Sequence, residues 1–145
     1  MMKEMIIFAG VMAAFIYSGC EKDLELKSTL PLNDTIEIAN FETRNNYEDK
    51  LVLRMDSVLE DSRCPSNVQC VWEGNAEVRF LFTVDSIRTD FVLNTHGRMQ
   101  FNSDTVIGGY CIKLLDLSPY PEYPGEILQV EYNSKVIIKA TTASL

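Results

Sequence analysis

Hydrophobic and polar residues alternate along most of the chain beyond residue 34, and this period of two predicts β-strands. The clearest case is AEVRFLFTV, where every second residue from Ala76 to Val84 is apolar and Glu77, Arg79 and Thr83 lie on the opposite face. Two further segments show the same alternation: 34–38 and 51–55. Each of these strands is therefore expected to bury one face.

Short turn sequences separate the predicted strands. Asp85-Ser86 leads from AEVRFLFTV into IRTDFVLN, and Gly108-Gly109, which tolerates the positive backbone angles of a tight turn, joins DTVI to YCIKLL. Asn133-Ser134 is predicted to form the turn of a last hairpin between EILQVEY and KVIIKATT. LSPYPEYPG contains three prolines and is predicted to be irregular.

Seven or eight short strands and no helix beyond residue 34 predict an all-β fold. The expected architecture is a single antiparallel β-sandwich, immunoglobulin-like, or a small barrel, with the domain spanning residues 34–145. We favour the sandwich because the alternation leaves one polar face on each sheet.

The first 19 residues have the pattern of a lipoprotein signal peptide, which forms a signal helix. Lys3 is followed by an uncharged, mostly apolar run from Met5 to Tyr17, which is shorter than the roughly 20 residues of a membrane span. The run ends in YSGC, which resembles the lipobox of bacterial lipoproteins. Cys20 is therefore expected to be lipidated and to become the new N-terminus.

Residues 20–33, which comprise the lipidated cysteine and EKDLELKSTLPLN, have no apolar period and are predicted to form a flexible tether. The acidic EKDLE is similar to the export signals that send some lipoproteins of the Bacteroidota to the outside of the outer membrane. We expect an outer membrane lipoprotein that faces the periplasm or the cell surface, with the lipid on Cys20 as its membrane attachment.

The charge balance limits the classes of partner. The chain has 13 Lys and Arg against 21 Asp and Glu, a net charge of −8, which argues against nucleic acid and against an anionic membrane surface. Removal of residues 1–19 leaves 126 of 145 residues, enough for one domain. We expect a monomer that carries no cofactor.

Cys64 and Cys70 enclose five residues in CPSNVQC. Paired zinc ligands are usually separated by about two to four residues, and catalytic disulfides by about two, so neither a zinc site nor a redox centre fits well. The oxidising compartment of an exported protein favours a structural disulfide. If Cys70 begins a strand, Trp72 lies on the same face and covers the disulfide, and Gly74 permits a bulge before Ala76 enters the core.

Cys111 is left without a predicted partner. It lies beside Lys113, on the face opposite Tyr110, Ile112 and Leu114. We expect it to act as an inert, small apolar residue, with pairing to another molecule as the alternative.

Two stretches of the chain resemble a known family. LEDSRCPSNVQCVWEGNAEV and GGYCIKLLDLSPYP resemble small lipoproteins of the Bacteroidota that share an R-C-P-x4-C-x-W-x-G-x-A motif and a later Y-x-(I/V)-x-L...P-Y-P segment. The matching residues are Arg63, Cys64, Pro65, Cys70, Trp72, Gly74 and Ala76, and then Tyr110, Ile112, Leu114, Pro119, Tyr120 and Pro121. The resemblance implies a location and a fold, and it implies no biochemical activity.

Few residues have the chemistry that catalysis needs. His96 is the only histidine and lies in THGR, which is typical of a turn, and the acidic pair Glu60-Asp61 lacks the Asp-x-Asp-x-Asp spacing of a calcium loop. We therefore predict no catalytic residues and no metal site, and we expect that the protein is not an enzyme.

Four Asp-(Ser/Thr)-(Ile/Val) sequences resemble the acceptor sequence for O-glycosylation of exported proteins in the Bacteroidota. The candidate acceptors are Thr35, Ser57, Ser86 and Thr105. The structural alternative is that aspartate opens turns while threonine or valine begins strands.

Two functions are compatible with these features. The first is a lipid-anchored binding or accessory module for an envelope protein or a glycan. Its candidate contact residues are Pro65, Ser66, Asn67, Val68, Gln69, Tyr120 and Tyr123. The second is a protease inhibitor in which the loop 64–70 mimics a substrate, because a preorganised loop loses less entropy on binding.

Overall fold

The computed structural model describes residues 29–97, 101–125 and 127–141. These residues form two antiparallel four-stranded sheets packed against each other, and the predicted all-β sandwich is confirmed. The predicted signal peptide, Cys20 and most of the tether lie outside the described residues. Within the described ranges, no helix has the length and apolar character needed to cross a membrane.

Eight strands make up the two sheets. The first sheet contains, in spatial order, β2 (Thr43–Asn46), β3 (Leu51–Asp61), β4 (Ala76–Val84) and β5 (Ile87–Asn94). The second contains β1 (Thr35–Ala39), β8 (Asn133–Ala140), β7 (Tyr110–Ser118) and β6 (Asp104–Ile107). Chain order is kept along the first sheet and along β6, β7 and β8 of the second, whereas β1 lies beside β8. This strand order differs from that of immunoglobulin domains.

The core lies between the sheets, and the apolar faces predicted by the alternation form it. The fully buried side chains include Leu53, Met55, Val78, Phe80 and Phe82 from the first sheet and Ile38, Ile112, Val136 and Ile138 from the second. Burial of one large apolar side chain contributes about 1.5–3 kcal/mol, so this layer is the main source of stability.

Two of the predicted turns are confirmed. Asp85 has a φ of 56° in the turn between β4 and β5. Gly108 and Gly109 have φ angles of 57° and 84° between β6 and β7, as a tight primed turn requires.

The predicted last hairpin is wrong. Asn133 and Ser134 begin β8, where they pair with both β1 and β7, and a short 3-10 helix (Gln129–Glu131) precedes them. Ser134 is fully buried and its hydroxyl donates to the Ile38 carbonyl. These two turn-forming residues lie in a strand because it has hydrogen-bonding partners on both sides.

The packed domain begins before the predicted boundary at Asp34. Leu30 is fully buried in the core, and its N–H donates to the Asn45 carbonyl at 2.9 Å. Thr29 forms a parallel bridge with the same asparagine. Residues 29 and 30, predicted as part of the tether, are therefore held against β2, and the Asn33 N–H donates to the Ile138 carbonyl of β8 at 2.8 Å.

Candidate binding end of the domain

The end of β3 leads into the loop that carries the two cysteines. Beyond β3, the Ser62 N–H donates to the Asn75 carbonyl at 2.7 Å and the Cys64 N–H donates to the Glu73 carbonyl at 2.9 Å. The two segments are so close that a Cβ on Gly74 would lie 1.9 Å from the Ser62 carbonyl oxygen, and Gly74 has a φ of +75°. Only glycine fits this position.

The predicted disulfide between Cys64 and Cys70 is confirmed, with an S–S distance of 2.09 Å. It closes the disulfide loop, residues 64–70. β4 begins at Ala76 and not at Cys70, so the strand alternation expected to place Trp72 over the disulfide is wrong. Instead, Trp72 is 64% exposed and lines a shallow depression together with both cysteines.

Arg63 connects the disulfide loop to a distant part of the chain. Its Nε and Nη2 donate to the two carboxylate oxygens of Asp61 at 2.8 and 2.7 Å. Its remaining donors bind the carbonyls of Leu117 and Pro119, and its guanidinium lies 5.1 Å from the centre of the Tyr120 ring. The Arg63 side chain is only 2% exposed. A buried charge requires partners of this kind, and four hydrogen bonds use most of the five donors that the planar guanidinium supplies in a fixed geometry.

Asp61 is the counter-charge of this cluster. Burial raises the pKa of the Asp61 carboxyl, but the hydrogen bonds and charge of Arg63 and a hydrogen bond from the Tyr132 hydroxyl outweigh burial and hold the pKa below its usual range. The Tyr132 hydroxyl donates to Asp61 at 3.1 Å. The carboxylate is therefore ionised at neutral pH and ties β3 to the start of β8.

The disulfide loop also binds the proline-rich segment, residues 119–125, through backbone atoms. The N–H groups of Ser66 and Asn67 donate to the carbonyls of Pro121 and Glu122 at 3.0 and 3.3 Å. The Tyr120 hydroxyl donates to the Cys64 carbonyl at 2.9 Å. The structure thus brings together most of the predicted contact residues, which lie more than 50 positions apart in the chain.

Apolar side chains are exposed around the disulfide. Val68, Val71, Trp72 and Tyr120 lie at the same depression, and all four are exposed, Val71 completely. We call this surface the disulfide patch. A grouping of large exposed apolar residues is typical of an interaction surface.

A separate cleft lies on the other side of the Arg63 cluster. It has a volume of about 280 Å³. It runs between residues 58–63, at and just beyond the end of β3, and the segments 121–125 and 127–132. Tyr123, the last of the predicted contact residues, lines this cleft and not the disulfide patch. The cleft and the disulfide patch together form one end of the sandwich.

The other residues considered for chemistry are dispersed. The His96 Nε2 lies 3.1 Å from a carboxylate oxygen of Glu73. Glu60 is exposed in the cleft, and Cys111 is a half-buried free thiol on β7. In the part of the chain that the structure describes, no group of three or more His, Cys, Asp or Glu is arranged to hold a metal ion.

The four candidate glycosylation acceptors differ in exposure. Thr35 and Ser86 are exposed, whereas Ser57 and Thr105 are half-buried within β3 and β6. The accessible hydroxyls are therefore those of Thr35, at the start of β1, and Ser86, in the turn before β5.

Three structurally central side chains were not predicted as a site. The sequence motif contains Arg63 but assigns it no role, and the sequence pattern predicts Gln129 and Tyr132 in a hairpin that does not form. Gln129 donates from Nε2 to the Val58 carbonyl at 2.7 Å and accepts from the Val58 N–H at 3.0 Å. Glu60 and Asp61, close to Arg63 in the chain, could have indicated an ion pair with it. No residue near Gln129 in the chain indicates its partner.

Comparison of the chain with models of known families, with curated proteins and with solved structures found no match. The fold and the site alone therefore define the class: a small two-sheet β-sandwich with a disulfide loop and a polar cluster at one end. The resemblance to lipoproteins of the Bacteroidota stays a prediction.

Proposed function

We propose that this protein is a lipid-anchored lipoprotein of the cell envelope whose β-sandwich is a non-catalytic binding or accessory module. The N-terminal sequence supports the anchor, with Cys20 as the lipidated residue and the outer membrane as its location. The module is a monomer that faces the periplasm or the cell surface and binds an envelope protein or a glycan.

The binding role rests on one observation: the disulfide patch is exposed and apolar, yet the backbone beneath it is fixed. A disulfide, the backbone bonds to Pro121 and Glu122, and the buried Arg63 all hold the loop in place. A preordered surface loses little conformational entropy when a partner binds. Aromatic side chains such as Trp72 and Tyr120 are also enriched at the energetic centres of interfaces.

The alternative function, protease inhibition, has less geometric support. An inhibitory loop must offer its backbone to the protease, but the N–H groups of Ser66 and Asn67 already donate to the proline-rich segment. The Val68 N–H donates to the Pro65 carbonyl at 3.2 Å, which folds the loop into a turn. This geometry favours the binding module over the inhibitor.

We also propose that glycosylation, where it occurs, modifies Thr35 and Ser86, because their hydroxyls are the accessible ones. The mass of the exported protein should fall by one glycan in each of Thr35→Ala and Ser86→Ala. Equal masses for wild type and both variants, after allowance for the substitution, would remove these two acceptors.

The anchor is tested by metabolic labelling with an alkyne-tagged fatty acid. Wild type should be labelled and recovered with outer membranes, and Cys20→Ser should be unlabelled. Labelling that persists in Cys20→Ser would exclude the lipidated cysteine.

The binding role is tested by chemical crosslinking on intact cells. Trp72→Ala should remove a crosslinked product that wild type forms. Ile87→Ala is the matched control, since Ile87 is 75% exposed but lies beyond the far end of β4, and it should retain the product. A product that survives in Trp72→Ala, or no product with wild type, would count against the disulfide patch as the binding surface.

A further inference from the structure

The second half of β3 has an open edge. β2 pairs with β3 only from Leu51 to Arg54, and the backbone of Phe41 and Glu42 then reaches Met55. In the described residues, no strand pairs with this side of β3 from Ser57 to Asp61, while β4 continues on the other side. β3 also bulges twice, between Met55 and Ser57 and between Val58 and Glu60. An unpaired edge is a template for an added strand, and the bulges limit the length over which such a strand can pair.

Gln129 shows that this edge accepts an amide group. Its side-chain carboxamide accepts from the Val58 N–H and donates to the Val58 carbonyl, at 3.0 and 2.7 Å. These are the two bonds that a residue of a neighbouring antiparallel strand makes with its partner. Asn40 holds the carboxamide in place, since its Nδ2 donates to Gln129 Oε1 at 2.9 Å.

Beyond Val58, where the Gln129 side chain is bound, the cleft follows the edge of β3. Leu59, Glu60 and Asp61 form one wall, and Pro121, Tyr123 and Pro124 lie in the wall opposite. Because proline has no N–H, the opposite wall is poorly suited to pair with β3 and close the gap. The volume of about 280 Å³ lies near the lower end of the range for ligand sites and suits a short stretch of extended chain.

Charge indicates what kind of peptide fits. Asp61 is neutralised by Arg63, whereas Glu60 is exposed in the cleft. The chain as a whole carries a net charge of −8, which favours a cationic partner during approach. Because β3 bulges between Val58 and Glu60, strict alternation does not hold there, and both Leu59 and Glu60 line the cleft where an added strand would meet them.

We propose that the cleft binds an extended peptide segment of another envelope protein, which adds as a strand to the open edge of β3 and places a lysine or arginine beside Glu60. This inference rests on the proposed binding function and adds the partner class and a second contact surface. Main-chain hydrogen bonds supply the affinity, and the Glu60 contact supplies the selectivity.

The test uses the full-length chain in detergent and two mixtures of capped heptapeptides. Both mixtures are randomised at six positions, and the central residue is lysine in one and glutamate in the other. Wild type should retain the lysine mixture about tenfold or more over the glutamate mixture. Glu60→Lys should abolish that preference, while Glu48→Lys, which makes the same charge change in the exposed turn before β3, should keep it.

Two further measurements separate strand addition from other modes of binding. A lysine mixture with N-methyl groups at alternate positions should be retained poorly, since it lacks the N–H groups that pair with β3. Hydrogen exchange should slow at residues 59–61 when the lysine mixture is bound, since the N–H groups of Val58 and Ser62 already donate to Gln129 and Asn75. Equal retention of the two mixtures, insensitivity to Glu60→Lys, or undiminished binding of the N-methylated mixture would each overturn the proposal.

The peptide site in the cleft and the binding role of the disulfide patch can be tested separately. Protection confined to residues 68–72 would overturn the cleft as the peptide site and leave binding at the disulfide patch intact. If no peptide is retained but the crosslinked product still depends on Trp72, the inference alone fails.

Discussion

Different kinds of interaction stabilise the middle of the sandwich and its disulfide-loop end. In the middle, Leu53, Phe80 and Ile138 are fully buried among other apolar side chains and make non-directional contacts. At the loop end, a buried guanidinium joins Asp61 to the carbonyls of Leu117 and Pro119. The first region needs apolar volume, whereas the second needs particular donors and acceptors at particular positions.

The two regions should differ in how well they tolerate substitutions. Apolar cores accept volume-conserving substitutions at a loss of less than about 1.5 kcal/mol. Removal of one partner of a buried ion pair leaves an uncompensated charge, and the protein then loses much of its free energy of unfolding. The loop end should therefore be the more easily damaged region, although it buries less apolar surface.

Removal of Arg63 should have the largest effect. Arg63→Ala leaves the Asp61 carboxylate and two carbonyls without their partner, and we expect a loss of about 3–5 kcal/mol in the free energy of unfolding, measured with urea. Arg54→Ala is the control, because its contact with Asp56 is 3.7 Å long and partly exposed, and it should lose about 0–1 kcal/mol. Equal losses for the two variants would show that burial and the contacts with Leu117 and Pro119 add nothing to the contribution of Arg63.

Removal of the disulfide should have the next largest effect. Closing a seven-residue loop stabilises a domain by about 2.4 kcal/mol in the loop-entropy model, so Cys64→Ser combined with Cys70→Ser should lose that amount. Thermal unfolding of wild type with and without reductant gives an independent measure. If neither the double substitution nor the reductant changed the melting temperature, the disulfide would have no role in stability.

Gly74→Ala should destabilise the domain by more than about 1 kcal/mol, because the new Cβ meets the Ser62 carbonyl and φ is positive. Gly125→Ala provides the matched control, since no atom lies within 4 Å of a Cβ built there. Chemical denaturation gives the free energy of unfolding of both variants. An unchanged stability of Gly74→Ala would contradict the close contact between the segments 62–64 and 73–75.

The smallest expected effect is the pH dependence of stability that Asp61 contributes. The pKa of Asp61 is lower in the folded than in the unfolded state, so its stabilising contribution is present above the unfolded pKa of about 3.9 and is lost as the pH falls through the folded pKa. Asp61→Asn should therefore lose less stability than wild type between neutral pH and the acid range. Parallel pH profiles for the free energy of unfolding would show that Asp61 is not the linked group.

The success of the sequence-based predictions follows the same division. The buried faces of β3 and β4 and the Gly108-Gly109 turn depend on neighbouring residues, so alternation and local turn chemistry were enough to predict them. The Arg63–Leu117 and Asp61–Tyr132 contacts join residues 54 and 71 positions apart, and no local pattern encodes such pairs. Leu30 was missed for a similar reason, since a single leucine before a proline has no periodicity.

The central claim is that Arg63 holds the disulfide loop and the proline-rich segment together as one unit. Hydrogen exchange on Arg63→Lys tests it most directly, because lysine keeps the charge but loses the two-point contact with Asp61. We predict that residues 62–70 and 117–123 lose protection together while β4 and β8 keep theirs. Loss of protection in only one of the two segments, or unchanged protection in both, would contradict the account.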